Sequence, residues 1–305
     1  MLKTFRNGWT RILAGLAAFA LAGCATQSRQ EEPAAAGEMR PAMWALSDED
    51  TTIYLFGTIH TLPPGVEWRT PAIEQALAAS DELVTEISLD TDQMAAAASL
   101  MRMGMGSNLP ALIDRVPRRK RDELSAAIGQ SGLPAAIFDR METWAAALTI
   151  GAVAFQRAGL NPELGVDRIL TRTFAERQKP RLALETIEEQ LGFFDTLPED
   201  DQRDFLVGVL ETPEEIRREF DRMLAAWTSG DTDAIARTFD DEAKMSADLR
   251  ERLLTRRNAR WAEWLQRRLE RPGTSFVAVG AGHLAGRDSV QDMLRRRGLT
   301  TRRVQ

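Results

Sequence analysis

The segment TTIYLFGTIH, residues 51–60, is an apolar β-strand pattern that ends at a glycine, three positions before a histidine. A second segment, SFVAVGAGH, residues 275–283, has the same form, and these two motifs contain the only two histidines of the 305-residue chain. Glycine lets the backbone turn at the end of a strand without a Cβ penalty. We therefore expect His60 and His283 at one rim of a sheet, where functional groups of α/β folds collect. Two ordinary loop histidines are the alternative.

The pattern around the two motifs predicts a mixed α/β fold. Residues 43–57, MWALSDEDTTIYLFG, indicate a hairpin, because two apolar runs flank Asp and Glu turn residues. Further strands are expected at 82–89, 179–186, 274–280 and 300–304. Their spacing indicates a central, partly parallel sheet with crossover helices, in which strands from both termini lie side by side.

Helices are expected to surround this sheet. A short helix is predicted at residues 71–80, and residues 91–178 are mostly helical, with the clearest helix at Ala135–Ala158. Five helical stretches follow between residues 187 and 271, and the last of them has an apolar face. That face contains Leu249, Leu253, Leu254, Trp261, Trp264, Leu265 and Leu269. We expect it to be part of the core.

The N-terminus has the form of a bacterial lipoprotein leader. Residues 1–23 combine a charged start with an apolar run that is too short to span a bilayer as a helix. The sequence LAGC that ends at Cys24 resembles a lipobox, which predicts a lipid on Cys24. An ordinary signal peptide and a buried first helix are the alternatives. Residues 24–41 are interpreted as the lipidated cysteine and a flexible tether, and residues 42–305 as one α/β domain with a helical middle section.

A lipid on Cys24 would attach the protein to a membrane, since each buried methylene contributes about 0.8 kcal/mol. Cys24 is the only cysteine, so the sequence excludes a disulfide framework. Position 25 is Ala rather than Asp, which favours the outer membrane by the usual lipoprotein sorting pattern. The expected location is the periplasmic face of the outer membrane in a bacterial cell envelope.

The charge of the chain argues against a nucleic-acid partner. The formal net charge is −6, and removal of residues 1–23, with three basic and no acidic residues, changes it to −9. A phosphate-binding surface requires clustered Lys and Arg. The basic runs at 118–121, 256–260 and 295–297 are interpreted as solvated helix faces.

Two histidines need a carboxylate to complete either a proton-transfer site or a metal site. Glu86 lies inside an apolar strand, where a carboxylate without a partner is unfavourable. Glu185 ends a second strand, and Asp167 lies at a helix start, where an N-cap would explain it equally well. For all three, capping or ion pairing is the structural alternative.

Arg257 and Asn258 interrupt the apolar face of the last long helix. Both side chains can bind the oxyanion or carboxylate of a substrate. The alternative for Arg257 is an ordinary solvated helix residue.

Six segments together resemble the TraB/GumN family, which belongs to the wider Tiki and erythromycin-esterase-like group. They are YLFGTIHTLP, ELVTEI, GVD, LALETIEEQL, RRNARWAEWL and FVAVGAGHLAG, and they follow the family's order within residues 42–305. The resemblance implies an α/β fold of the erythromycin-esterase and Tiki type, in which paired Gly-x-x-His motifs, here with Gly57 and Gly280, flank one site. Animal Tiki relatives are divalent-metal-dependent proteases, which implies a Mn, Co or Zn ion bound by His60, His283 and Glu86.

By the same resemblance, Glu185, Arg257 and Asn258 are the expected catalytic neighbours, and Asp167 lies near them. The first function that remains open is a metal-dependent hydrolase of peptide or ester bonds, with Glu185 as base or orienting group. The second is a metal-free hydrolase in which a histidine, oriented by a glutamate, deprotonates water. The third is a non-enzymatic lipoprotein that binds haem or a metal through the histidines. The chain contains no Gly-x-Ser-x-Gly nucleophile motif.

Overall fold

The computed structural model describes residues 39–89, 93–239 and 247–305. Within these residues the chain forms a six-stranded sheet with the strand order β4-β3-β5-β2-β1-β6. The strands are β1 (Met43–Ser47), β2 (Thr51–Thr58), β3 (Glu82–Thr85), β4 (Arg181–Ala183), β5 (Gly273–Gly280) and β6 (Arg302–Arg303). The four strands from β4 to β2 are parallel, and β1 and β6 are antiparallel to their neighbours. The predicted mixed α/β fold, with strands from both termini in one sheet, is confirmed.

Helices lie against both faces of the sheet. They are α1 (Pro71–Ala79), α2 (Gln93–Gly104), α3 (Arg121–Ser131), α4 (Ala135–Phe138), α5 (Thr143–Arg157), α6 (Val166–Glu176), α7 (Ile187–Asp195), α8 (Glu199–Gly208), α9 (Pro213–Thr228), α10 (Thr232–Phe239), α11 (Ala247–Arg250), α12 (Arg256–Leu269) and α13 (Val290–Arg296). None of those described combines the length and apolar character needed to cross a membrane. The predicted leader, Cys24 and nearly all of the tether lie outside the described residues.

The two faces of the sheet have separate cores, as the alternation of side chains along a strand requires. On β2, Ile53 and Leu55 face a smaller core that contains Trp261 and Leu265 of α12. Phe56 faces the larger helical core. The burial of Trp261 and Leu265 agrees with the apolar face predicted for this helix.

The two glycine motifs lie side by side because β5 inserts between β2 and β3. Gly57 on β2 is opposite Val279 on β5, and Thr58 is opposite Gly280. A Cβ on Gly57 would lie 3.0 Å from the Cα of Ala281, so glycine is needed for this close approach. Both motifs therefore end at the same rim of the sheet.

The prediction of one helix over Ala135–Ala158 is wrong. The chain forms two helices, α4 and α5, and residues 139–142 between them are not helical. Backbone hydrogen bonds explain the break: Gly106 N–H donates to Arg140 O, and Glu142 N–H donates to Gly104 O. A tertiary contact thus overrides the helical propensity of an Ala-rich segment.

Several predicted boundaries also differ from the observed ones. β3 ends at Thr85 and β4 covers only Arg181–Ala183, so both strands are shorter than expected. The last long helix is interrupted by a π-helical turn, Glu251–Thr255, one turn before Arg257. Single π turns of this kind are frequent at functional sites.

Candidate functional site

The predicted site residues meet at the carboxyl ends of β2, β3 and β5. Each of them is more than nine-tenths buried. They are His60, Glu86, Asp167, Glu185, Arg257, Asn258 and His283. The chain thus brings seven polar side chains from six separate segments into one buried cluster.

Arg257 lies at the centre of this cluster and is 0% exposed. Its Nη2 donates to Glu86 Oε2 at 2.5 Å and to Glu185 Oε2 at 2.8 Å, and its Nε donates to both oxygens of Glu185. Its Nη1 donates to the carbonyl of Leu253 at 3.1 Å. The interpretation of residues 256–260 as a solvated face is therefore wrong at Arg257, whose charge is balanced by two buried carboxylates.

Aromatic residues enclose the guanidinium. The Cζ of Arg257 lies 4.7 Å from the ring centre of Trp261 and 5.4 Å from that of Phe193, distances typical of cation–π contacts. The indole N–H of Trp261 donates to Glu185 Oε1 at 3.2 Å, and Arg260 donates to the same oxygen at 2.9 Å. The sequence pattern predicted only a position in the core for Trp261. Its four-residue spacing from Arg257, which puts both on one helix face, is the signal that could have placed it beside the site.

Glu86 is held as a carboxylate. Its Oε1 accepts from the backbone N–H of Gly280 at 2.7 Å, and its Oε2 accepts from the side chain of Gln190 at 3.0 Å. Burial alone would raise the pKa of Glu86, but the charge of Arg257 and the Gly280 N–H act against it, and the pKa is lowered to about 2. Glu86 is therefore ionised at neutral pH, and the glycine of the second motif supplies one of its donors.

His283 is held in its neutral form. Its Nδ1 lies 2.6 Å from the Oδ1 of Asn258, whose Nδ2 donates to the carbonyl of Asp288. This amide orientation makes Nδ1–H the donor, so Nε2 accepts from Arg257 Nη1 at 3.1 Å. Burial and the neighbouring Arg257 lower the pKa of His283 to about 3, although Glu86 acts in the opposite direction.

His60 has a different partner. Its Nδ1 lies 2.8 Å from Oδ1 of Asp167, in the first turn of α6. The backbone N–H of Val166 donates to Ile59 O at 2.9 Å, which joins this helix to the motif loop. The N-cap of α6 is Gly165, so the capping alternative for Asp167 is not observed. Asp167 instead orients the imidazole of His60.

Each carboxylate of the cluster has a basic side chain as its partner. Glu86, Glu185 and Asp167 are three carboxylates, and Arg257 and Arg260 are the two guanidinium groups that contact the first two of them. The third carboxylate, Asp167, is paired with His60. Asp167 is therefore placed to stabilise an imidazolium that forms when His60 accepts a proton.

The predicted metal ligands do not fit an ion in this arrangement. His283 Nε2 is 3.8 Å from Glu86 Oε1, but Arg257 already donates to Nε2 of the histidine and to Oε2 of the glutamate. A divalent cation bound by these atoms would lie beside a buried guanidinium of the same sign. Across residues 39–89, 93–239 and 247–305, no cluster of three or more His, Cys, Asp or Glu side chains is arranged to hold a metal.

Comparison with known proteins finds a matching family model and several similar proteins. The model of the TraB/PrgY/gumN family matches residues 42–303, which include both Gly-x-x-His motifs and every member of the buried cluster. Among similar proteins, "Uncharacterized protein YbaP" of Escherichia coli (strain K12) is 26% identical over 245 residues, which cover 79% of this chain and 87% of that protein. An "Uncharacterized protein" of Treponema pallidum (strain Nichols) is 21% identical over 295 residues, which cover 92% of this chain and 87% of that protein. No solved structure matches. The chain belongs to the TraB/PrgY/gumN family.

Proposed function

We propose that this protein is a hydrolase of peptide or ester bonds in which His60 is the general base. The main support is the hydrogen bond of 2.8 Å between His60 Nδ1 and Asp167 Oδ1, both in buried side chains. An ionised carboxylate at Nδ1 fixes the tautomer with the lone pair on Nε2. The orienting residue is therefore an aspartate rather than the glutamate expected for a metal-free site.

In this mechanism His60 Nε2 removes one proton from a water molecule, whose oxygen forms a bond to the carbonyl carbon of the substrate. Asp167 stabilises the imidazolium that results. When the tetrahedral intermediate breaks down, the bond to the leaving group breaks and His60 returns the proton to that group. General acid–base catalysis of this kind contributes about 10²–10⁴-fold to a rate.

Arg257 acts as a positioning residue in this proposal. Its Nε, Nη1 and Nη2 all donate to groups of the protein, namely Glu86, Glu185, Leu253 O and His283. It can bind a substrate oxyanion only by releasing one of them. Asn258 has a similar role, since it fixes the ring of His283. The two residues thus fix neighbouring side chains of the buried cluster.

The test is hydrolysis of chromogenic esters and fluorogenic peptides by purified protein in the presence of EDTA. His60→Gln and Asp167→Asn are expected to lose at least 100-fold in rate while they keep the wild-type melting temperature within a few degrees. Asp233→Asn, an exposed change in α10, is the matched control. Equal rates for His60→Gln and wild type would exclude His60 as the base.

A metal-dependent hydrolase is the second candidate, favoured by the 3.8 Å approach of His283 Nε2 to Glu86 Oε1. It requires Arg257 Nη1 to leave His283. Metal analysis of protein purified without chelator separates the two candidates, together with the activity of stripped protein after addition of Mn, Co or Zn. In the metal-dependent case His60→Ala and His283→Ala each lose the ion, and the double variant is no worse than either.

A further inference from the structure

Arg260 of α12 connects the buried cluster to solvent. Its side chain is 50% exposed, whereas that of Glu185, to which its Nη2 donates at 2.9 Å, is 2% exposed. The other side chains of the described residues that donate to Glu86 or Glu185 are all buried, namely Arg257, Gln190 and Trp261. Among these donors, Arg260 is therefore the one that a dissolved ligand can reach.

Most N–H groups of this guanidinium remain available. An arginine carries five N–H donors in a planar fork. Within residues 39–89, 93–239 and 247–305, the side chain of Arg260 makes a single hydrogen bond, from Nη2 to Glu185 Oε1. Whichever hydrogen of Nη2 makes that bond, one edge of the fork keeps two parallel N–H groups. Two parallel N–H groups are the geometry that binds both oxygens of a carboxylate.

The guanidinium of Arg260 is also held in place before any ligand binds. Its Cζ lies 5.7 Å from the ring centre of Phe193, which also contacts Arg257. An ordinary surface pair of the same helix is different, because Arg267 is 57% exposed and its partner Glu263 is 53% exposed. A buried carboxylate and an aromatic ring thus orient Arg260, so a ligand that binds it pays less for the ordering of this side chain.

We propose that Arg260 binds a carboxylate group of the substrate, so that the protein acts on peptides or esters that carry one. That the ligand is a substrate rests on the proposed function, but its binding requires no turnover. A carboxylate with one negative charge fits this position better than a phosphate with two, because Glu185 and the net charge of −6 both oppose an anion. The carboxylate comes from a peptide C-terminus or from an acidic side chain.

The first experiment compares three peptides on wild-type protein. They are N-acetyl-dialanine with a free carboxylate, its C-terminal amide, and N-acetyl-alanyl-glutamic acid amide. The indole of Trp261 donates to the same Glu185 oxygen as Arg260, so tryptophan fluorescence is expected to report binding. At least one charged peptide should bind about 10-fold more tightly than the neutral amide, as expected for charge-assisted hydrogen bonds. The peptide that binds shows which source supplies the carboxylate.

Equal affinity for the three peptides, or no binding of any, overturns the inference without the need for a variant. The second experiment repeats the titrations with variants of α12. Arg260→Gln should reduce the preference for the charged peptide to about 2-fold or less, and Arg260→Lys, which keeps the charge but not the fork, should be intermediate. Both should fold, since Glu185 keeps Arg257 and Trp261 as donors.

Arg267→Gln is the matched control, because it removes an equally exposed arginine of the same helix and should keep the wild-type preference. An unchanged preference in Arg260→Gln, or its loss in Arg267→Gln as well, contradicts a carboxylate site at Arg260. The same titration with His60→Gln separates this inference from the proposed function. A full rate of hydrolysis in His60→Gln overturns the general-base proposal, whereas a lost preference for the charged peptide in Arg260→Gln still supports the carboxylate site.

Discussion

The Nη1 of Arg257 lies 3.1 Å from the Nε2 of His283, so the ring nitrogen of the second motif already accepts a hydrogen bond within the protein. His60 differs, because the nitrogen that contacts a protein carboxylate is Nδ1. Two histidines in matching sequence motifs therefore have different chemical environments. His283 is a neutral acceptor beside a guanidinium, and His60 is paired with Asp167.

Arg257→Gln is expected to lower the free energy of unfolding by about 3–5 kcal/mol, because it leaves Glu86 and Glu185 buried without their main partner. Urea unfolding followed by tryptophan fluorescence measures this change. Arg256→Gln is the matched control: the neighbouring side chain is 65% exposed and contacts Glu251, so its loss should change stability by less than about 1 kcal/mol. Similar values for the two variants would contradict the buried network.

Acidification should destabilise the protein through His283. Its pKa is about 3 in the folded protein against an ordinary value of 6.5, so between these values the unfolded chain binds a proton that the folded protein does not. Stability then falls as pH decreases through this window, by up to about 1.4 kcal/mol per pH unit for one group. Glu86, with a pKa of about 2 against 4.5, adds a further loss below pH 4.5.

Unfolding free energies of wild type and His283→Asn at pH 5, 6, 7 and 8 test this prediction. The free energy of unfolding of His283→Asn should fall less than that of wild type between pH 6.5 and 5, because the group that titrates only in the unfolded chain is gone. His60 and Asp167 are unchanged in both proteins, so their contribution cancels in the comparison. Parallel curves would show that His283 is not held neutral.

Local patterns predicted that the two histidines meet, because strand ends are readable from them, whereas Arg257 and Asn258 were expected beside them only through the resemblance to the TraB/GumN family. The two Gly-x-x-His motifs follow apolar runs, and parallel strands bring such ends to one rim, as β2 and β5 do. The partners of each residue were not predictable in this way. Asp167 pairs with His60 across 107 positions, and Arg257 joins Glu86 across 171. No local pattern encodes contacts at such separations.

Prediction from local helical propensity was wrong where a distant segment supplied the backbone hydrogen bonds. The helix expected over Ala135–Ala158 is interrupted by bonds to Gly104 and Gly106. Trp264 was expected in the core with Trp261, but it is only partly buried, because the face of α12 that meets the sheet is narrower than the apolar pattern.

Cys24→Ser should release the protein from the membrane. The LAGC sequence after the apolar run predicts lipid on Cys24, and a serine cannot form the thioether. Wild-type protein is expected in the detergent phase on partitioning, and the variant in the aqueous phase or with an uncleaved leader. Mass spectrometry of the mature N-terminus gives an independent measure. Unchanged partitioning, without a lipid mass on wild type, would exclude the anchor.

Gly165→Ala should disturb the contact between His60 and Asp167. Gly165 has φ −55° and ψ 139°, which any residue can adopt, so backbone strain is not the reason for glycine here. An added Cβ would lie 2.2 Å from the carbonyl oxygen of His60 and 3.0 Å from that of Pro162. Both obstacles are backbone atoms, so no side chain can rotate away and the start of α6 must shift.

That shift should separate His60 from Asp167, because the start of α6 carries the aspartate and is joined to the motif loop through Ile59 O. We expect Gly165→Ala to cost about 1–3 kcal/mol of stability, as overpacking usually does, and to reduce hydrolysis together with it. Gly192→Ala is the control: an added Cβ there meets nothing within 4 Å, and alanine inside α7 should stabilise the protein by about 0.5–1 kcal/mol. Urea unfolding measures the stability of both variants, and ester hydrolysis measures their activity. A Gly165→Ala variant as stable and as active as Gly192→Ala would show that the contact between α6 and the histidine loop is not needed for the site.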